Sequence, residues 1–150
     1  GMNAVRGSGG RFEFLGEVNG VTSADDYAHH PTELEATLRA AKEMDYKRVW
    51  AVFQPFTYTR TQMLLDDFAR VLQIADKVVM TEIMGSRERA EDYAVRTKDL
   101  AAKVPGSVWY DTFAEVVDHV MKNARPGDLV ITLGCGDIYK AAKKMVAWEA

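Results

Sequence analysis

Apolar residues in this chain follow two alternating patterns. Short continuous runs stand at 49–53 (VWAVF), 78–80 (VVM), 108–110 (VWY) and 129–133 (LVITL). Runs without polar alternation suit strands covered on both faces, as in a parallel sheet. Between the runs, apolar residues recur at the spacing of a helix face. Leu34, Leu38 and Ala41 form one stripe, and Leu64, Phe68, Val71, Leu72 and Ala75 a second. Phe113, Val116, Val117, Val120 and Met121 form a third, and Ile138, Ala141, Ala142, Met145 and Val146 a fourth. A fifth, weaker helix is predicted over 91–103. Ahead of these, FEFLGEVNGVTSADD sets two extended runs around Asn19-Gly20, a dipeptide suited to the positive φ angles of a tight hairpin. Strands that alternate with helices call for right-handed crossovers. The predicted fold class is α/β, a Rossmann-like three-layer sandwich with a mostly parallel sheet, preceded by an N-terminal β-hairpin.

That architecture locates chemistry before any motif is weighed. In open parallel sheets ligands sit beyond the carboxyl ends of the strands, so the strand-to-helix loops carry function. Four qualify: DDYAHHPTE, QPFTYTRT, TEIMGSRERAED and LGCGDIY.

Composition narrows the class. At 150 residues the chain fits one domain that buries about two-thirds of its unfolded surface. Charged residues make up 27% and apolar residues 47%, and no apolar run reaches the length of a membrane span. A formal net charge of -3 offers no basic field for nucleic acid or anionic lipid, which leaves small molecules as partners. The single Cys135 excludes an internal disulfide and a cysteine-based zinc site, and the chain reads as cytoplasmic. Gly1 before Met2 reads as the scar of a cleaved tag, and residues 3–10 (NAVRGSGG) as a flexible lead-in, so the domain is placed at 11–150.

Within DDYAHHPTE, Pro31 suits the first helical position and Glu33 the first turn, which puts His30 near the N-cap and His29 just outside. Two adjacent histidines with no third ligand nearby do not make a zinc site. Two readings of this loop stand. Asp26 and the histidines cap the helix, or Asp26 grips a hydroxyl pair while His29 contacts substrate. In QPFTYTRT, three threonines, a tyrosine and Arg60 at a helix start form an anion-recognition set, against the plainer reading of Thr59 as a surface cap with Arg60 solvated. LGCGDIY lacks the third glycine of a dinucleotide fingerprint and closes the last strand rather than the first, which argues against NAD. No G-x-x-x-x-G-K-[ST] occurs, so the chain cradles no ATP phosphates in the P-loop manner. Met63, Met80, Met84 and Met145 read as core fillers, Trp50 and Trp109 as core, and His119 as solvated or capping.

Taken in order, GRFEFLGEVNGV, DDYAHHPTE, FQPFTYTRT and ITLGCGDIY resemble the C-terminal domain of the Mur ligases, over nearly the whole chain. DDYAHHPTE and the FQP…TRT segment favour the branch of that family that joins L-alanine to UDP-N-acetylmuramate. The resemblance implies ATP-dependent amide formation through an acyl phosphate, in peptidoglycan biosynthesis of the bacterial cytoplasm. It implies three domains, of which this chain is the third and closing one. ATP and magnesium would have their main sites in the central domain, and the isolated domain would be inactive. By resemblance, Arg11 contacts the nucleotide and Asp26 the ribose hydroxyls. Tyr27 and His29 line the pocket for the amino acid and acyl phosphate, and Arg60 pairs with the L-alanine carboxylate.

Four positions depart from the pattern. Phe56 stands where the family often has His, and Thr57 where a second basic residue sometimes appears. Gly10 replaces an arginine, and Cys135 a small residue such as alanine. Two alternatives follow: a stand-alone nucleotide or small-molecule binding module of the same fold, or the ligase that recycles murein tripeptide.

Overall fold

The computed structural model describes residues 13–149; the lead-in, Gly10 and Arg11 lie outside them. Six strands make one sheet in the order β1-β2-β6-β3-β4-β5. The strands are β1 (Glu13–Val18), β2 (Val21–Asp26), β3 (Arg48–Phe53), β4 (Lys77–Thr81), β5 (Val108–Tyr110) and β6 (Asp128–Leu133). The β1–β2 pair is antiparallel and every other pair parallel. The hairpin is therefore part of the sheet: β2 turns back from β1 and pairs directly with β6. Its turn is made by Asn19 and Gly20, both at positive φ (55° and 81°).

Side chains alternate between two apolar layers. Ala24, Val49, Ala51, Phe53, Val78, Met80, Leu129, Ile131 and Leu133 face α1 (Pro31–Lys42), α3 (Leu65–Leu72) and α4 (Thr97–Ala101). Trp50, Val52, Val79 and Val130 face α5 (Phe113–Asn123) and α6 (Tyr139–Val146). Each helix buries the stripe read from its sequence; in α1 that is Leu34, Leu38 and Ala41. Local caps fix the helix starts. His30 and Glu33 form a capping box ahead of Pro31, and Thr112 with Glu115 does the same for α5.

The predicted helix over 91–103 resolves into a 3-10 turn (Ala90–Asp92), an extended stretch, and α4 alone. The Arg96 guanidinium explains this, because it donates to the carbonyls of Ala90, Tyr93 and Val95. Ala90 O also accepts the Tyr93 N–H of the 3-10 turn, so the Arg96 side chain pins the extended stretch against that turn. The stripe over 64–75 is carried by α3, for which Leu64 is the N-cap, and a separate short helix, α2 (Tyr58–Met63), precedes it. Met63 is 72% exposed and fills no core gap, whereas Met80 and Met145 are fully buried. His119 is half-buried; its Nδ1 lies 2.8 Å from the Tyr110 hydroxyl, and burial lowers its pKa.

All six residues of β6 are buried, and two polar contacts hold its ends. At the start, Asp128 takes hydrogen bonds from the Arg48 guanidinium, the Trp50 indole N–H and the Arg125 backbone N–H. Burial alone would raise its pKa, but these donors outweigh burial and hold it below the usual carboxylate range. At the other end the Thr132 hydroxyl donates to Asp25 Oδ1 at 2.6 Å across the β2–β6 seam.

Asp128→Ala is expected to cost about 3 kcal/mol in denaturant unfolding, because Arg48 and the Trp50 indole lose a shared buried acceptor. A change under about 1 kcal/mol would show that the cluster does not anchor β6. The opposite sign holds for Asp25. Burial, against the lowering effect of the Thr132 hydrogen bond and with the charges of Asp26 and Glu13, raises its pKa from 3.8 to about 6. Because the folded value lies above the unfolded one, this contribution to stability is full below pH 4 and fades as pH rises through 6. Asp25→Asn is expected to stabilise the fold at pH 7, with the difference from the parent chain vanishing near pH 4. A pH-independent difference would contradict this origin.

Candidate functional site

Register decides what meets at the carboxyl edge. Leu133 of β6 is paired with Asp26 of β2 on one side and Phe53 of β3 on the other. The chain leaving β6 turns towards α6, whereas the chains leaving β2 and β3 turn towards α1 and α3 on the opposite face. A crevice opens where neighbouring strands send their loops to opposite faces. Gly134 N–H donates to Asp26 O, and Gln54 N–H to Leu133 O, so the three loops start at one level.

The β2 loop is held from below by Asp26. Its carboxylate is 1% exposed and accepts from Ala28 N–H through Oδ1 and from the Thr37 hydroxyl through Oδ2, both at 2.8 Å. Of the two readings of this loop, the structure shows Asp26 tying the turn to the middle of α1, with neither oxygen left without a partner. Above it, His29 Nδ1 lies 3.0 Å from Tyr27 O. A carbonyl only accepts, so Nδ1 is the donor in this contact. Glu33 Oε1 receives the N–H groups of His29 and His30. Burial would raise the Glu33 pKa, and those two donors bring it below its ordinary value.

The rings continue across to the next loop. Tyr27 meets His29 edge-on at 5.7 Å, and His29 meets Phe56 edge-on at 6.3 Å. The Arg60 guanidinium lies 6.0 Å from the Phe56 ring centre. Tyr27, His29 and Arg60, three of the residues singled out in the sequence, thus stand in one row with Phe56, which entered only as a departure from the family pattern. Arg60 is half-buried, and its Nη1 is a buried donor with no hydrogen-bond partner in the protein. Beside it, Cys135 occupies the glycine turn after β6. Burial raises the thiol pKa, the nearby Arg60 charge lowers it, and Glu33 raises it.

The anion-recognition set expected of QPFTYTRT is reduced to that one guanidinium. The N–H groups of Tyr58 and Thr59 and the Thr59 hydroxyl all donate to Glu88 from the loop after β4. The N-cap of α2 is Thr57, not Thr59, and its hydroxyl accepts from Arg60 N–H. Thr57 sits at φ 67°, a left-handed conformation that costs a non-glycine residue about 1–3 kcal/mol. It is held there by its N–H bond to Met84 O and by the Phe56–Met84 bridge. Strain of this kind marks a loop whose shape is over-determined by its surroundings. Gln54 and Glu88 had no sequence signal of their own, since each matters through partners about 30 or 80 positions away.

Among the described residues no group of three or more His, Cys, Asp or Glu stands ready to hold a metal ion. No helix of the described residues is long and apolar enough to cross a membrane.

The comparisons agree with this geometry. The family model described as Mur ligase, glutamate ligase domain, matches residues 10–136. A UDP-N-acetylmuramate–L-alanine ligase of Acetivibrio thermocellus is 42% identical over 98% of this chain. Among solved structures, a UDP-N-acetylmuramate–alanine ligase from Thermotoga maritima superposes with a TM-score of 0.73 at 24% identity, over 91% of this chain and 29% of that one. A murein peptide ligase from Psychrobacter arcticus gives 0.70 at 23% identity, over 90% of this chain and 28% of that one. The chain spans about a third of the length of the curated relatives it matches. With the family model covering residues 10–136, the chain belongs to the Mur ligase family, in its C-terminal, glutamate ligase domain.

Proposed function

We propose that this chain is the closing domain of an ATP-dependent ligase that joins L-alanine to UDP-N-acetylmuramate in the bacterial cytoplasm. The observation that carries the proposal is the half-buried Arg60, whose Nη1 is a buried donor with no hydrogen-bond partner in the protein. A carboxylate is the complement of a guanidinium that has donors to spare.

In this reaction the muramyl carboxylate takes the γ-phosphoryl group of ATP and ADP leaves. The amine of L-alanine then attacks the acyl carbon, sheds a proton, and inorganic phosphate departs. Arg60 fixes the alanine carboxylate, and positioning of the amine supplies much of the rate. Tyr27 and His29 wall the pocket. Phe56 stacks under the guanidinium and limits how it swings. Arg11 and Asp26 serve the nucleotide. For Asp26 that service runs through the shape of the Asp26–His29 turn, because its oxygens already hold Ala28 and Thr37.

The main ATP and magnesium sites belong to a central domain outside this chain. Among the described residues no group of three or more His, Cys, Asp or Glu stands ready to hold that magnesium. On this reading the chain ligates nothing by itself. The catalytic site lies between domains and opens to release product.

In the full ligase, Arg60→Met is expected to raise the KM for L-alanine by about 100-fold and leave the KM for ATP unchanged, the loss of charged hydrogen bonds to one substrate. Arg60→Lys, which keeps the charge and loses the fork, falls between. An unchanged KM for L-alanine in Arg60→Met would remove the carboxylate clamp from this domain. Preference for murein tripeptide over L-alanine in the parent enzyme would move the assignment to the recycling ligase.

A further inference from the structure

Of the four loops at the carboxyl edge, TEIMGSRERAED after β4 adds no group to the row of Tyr27, His29, Phe56 and Arg60. Its contacts run instead to the backbone that carries Arg60. Arg60 is the third residue of α2, a helix of only six residues. Helices this short are marginal by themselves, so whatever ties down the first turn of α2 sets where the Arg60 side chain starts.

The tie is dense. Met84 O accepts the Thr57 N–H, and Met84 N–H donates to Pro55 O, both at 2.8 Å. Glu88 Oε1 accepts the N–H groups of Tyr58 and Thr59, and Oε2 accepts the Thr59 hydroxyl at 2.6 Å. The Tyr93 hydroxyl lies 3.0 Å from the Thr59 hydroxyl, and its ring stacks on Tyr58 with centres 5.6 Å apart and planes 12° from parallel. The Arg96 guanidinium lies 5.6 Å from the Tyr58 ring centre. A Cβ placed on Gly85 would lie 2.9 Å from the Tyr58 ring, so a glycine there lets the two loops meet.

Glu88 is the one acid in this set. Tyr58 and Thr59 open the helix, and their N–H groups have no partner within it, which favours a carboxylate at that end. The Thr59 hydroxyl, followed by the Thr59 and Tyr58 N–H groups, holds the Glu88 pKa below the ordinary carboxylate value. Glu88 therefore spends its charge on the backbone beneath Arg60, while Arg60 Nη1 keeps no partner in the protein. The carboxylate fixes the helix without neutralising the cation on it.

We infer that Glu88 is a positioning residue for amino-acid recognition: it holds the first turn of α2 so that Arg60 meets the carboxylate of the incoming amino acid at a set place. This rests on the reading of Arg60 as carboxylate clamp and adds what keeps the clamp still. A guanidinium on a loosened turn has to be ordered by its ligand, and that ordering is lost from affinity.

The test is steady-state kinetics on the full ligase. Glu88→Ala is expected to raise the KM for L-alanine about tenfold and leave the KM for ATP unchanged. Glu88→Gln, which keeps an acceptor oxygen, is expected to stay within about threefold of the parent enzyme. In an Arg60→Met background Glu88→Ala is expected to add nothing, because the group it positions is gone. A further rise of about tenfold in that background would overturn the inference and leave the clamp standing. So would an unchanged KM for L-alanine in Glu88→Ala, or an equal rise in the KM for ATP, the sign of a general loosening of the domain. Should Glu88→Ala not fold, Thr59→Val removes the hydroxyl that Glu88 holds; it is expected to raise the KM for L-alanine about threefold, and no change would overturn the inference. If Arg60→Met itself leaves the KM for L-alanine unchanged, the clamp falls and the inference with it.

Discussion

Everything at the carboxyl edge depends on the last strand of the chain sliding between two strands laid down before it. β6 enters with all six residues buried, and it pairs in parallel with β2 on one side and β3 on the other. Parallel pairing brings the ends of β2, β6 and β3 to one level. Because β6 alone of the three sends its chain to the opposite face, the crevice forms on both of its flanks. Asp128 and Thr132 give this insertion polar anchors at its two ends, and the apolar side chains between them supply the bulk of the burial.

The edge that results divides its polar groups into two kinds. Most are spent on holding loops: Asp26 on Ala28 and Thr37, Glu33 on two histidine N–H groups, Glu88 on the start of α2. Each fixes a backbone segment by local charge-assisted hydrogen bonds, and none is left for a ligand without giving up a partner. Among the described residues, the buried side-chain atoms left unpaired are one donor, Arg60 Nη1, and one acceptor, Gln54 Oε1. Rigid loops around a few unpaired groups are the arrangement expected of a small-molecule site.

Much of the fold was legible because its signals are local. The VWAVF and LVITL runs and the Leu34–Leu38–Ala41 stripe carry their period within a few residues, and Asn19-Gly20 carries its own turn. The helix expected over 91–103 was misread because the Arg96 side chain pins an extended stretch against the 3-10 turn, an effect of side-chain reach that apolar spacing does not encode. His29 and Arg60 stood out in their own loops and Tyr27 through the resemblance, and the ring row through Phe56 places them together. The burial of Asp26, the capping of α2 by Glu88 and the unpaired oxygen of Gln54 depend on contacts across the sheet edge, which no window of sequence contains.

The measurement that bears most directly on this account is a crystal structure of the proposed full ligase with L-alanine bound. The account predicts electron density for the amino acid above the Gly134–Gly136 turn, between the loops that follow β2, β6 and β3, with its carboxylate forked by Arg60. An amino acid seated elsewhere, with Arg60 turned to solvent or paired within the protein, would contradict it.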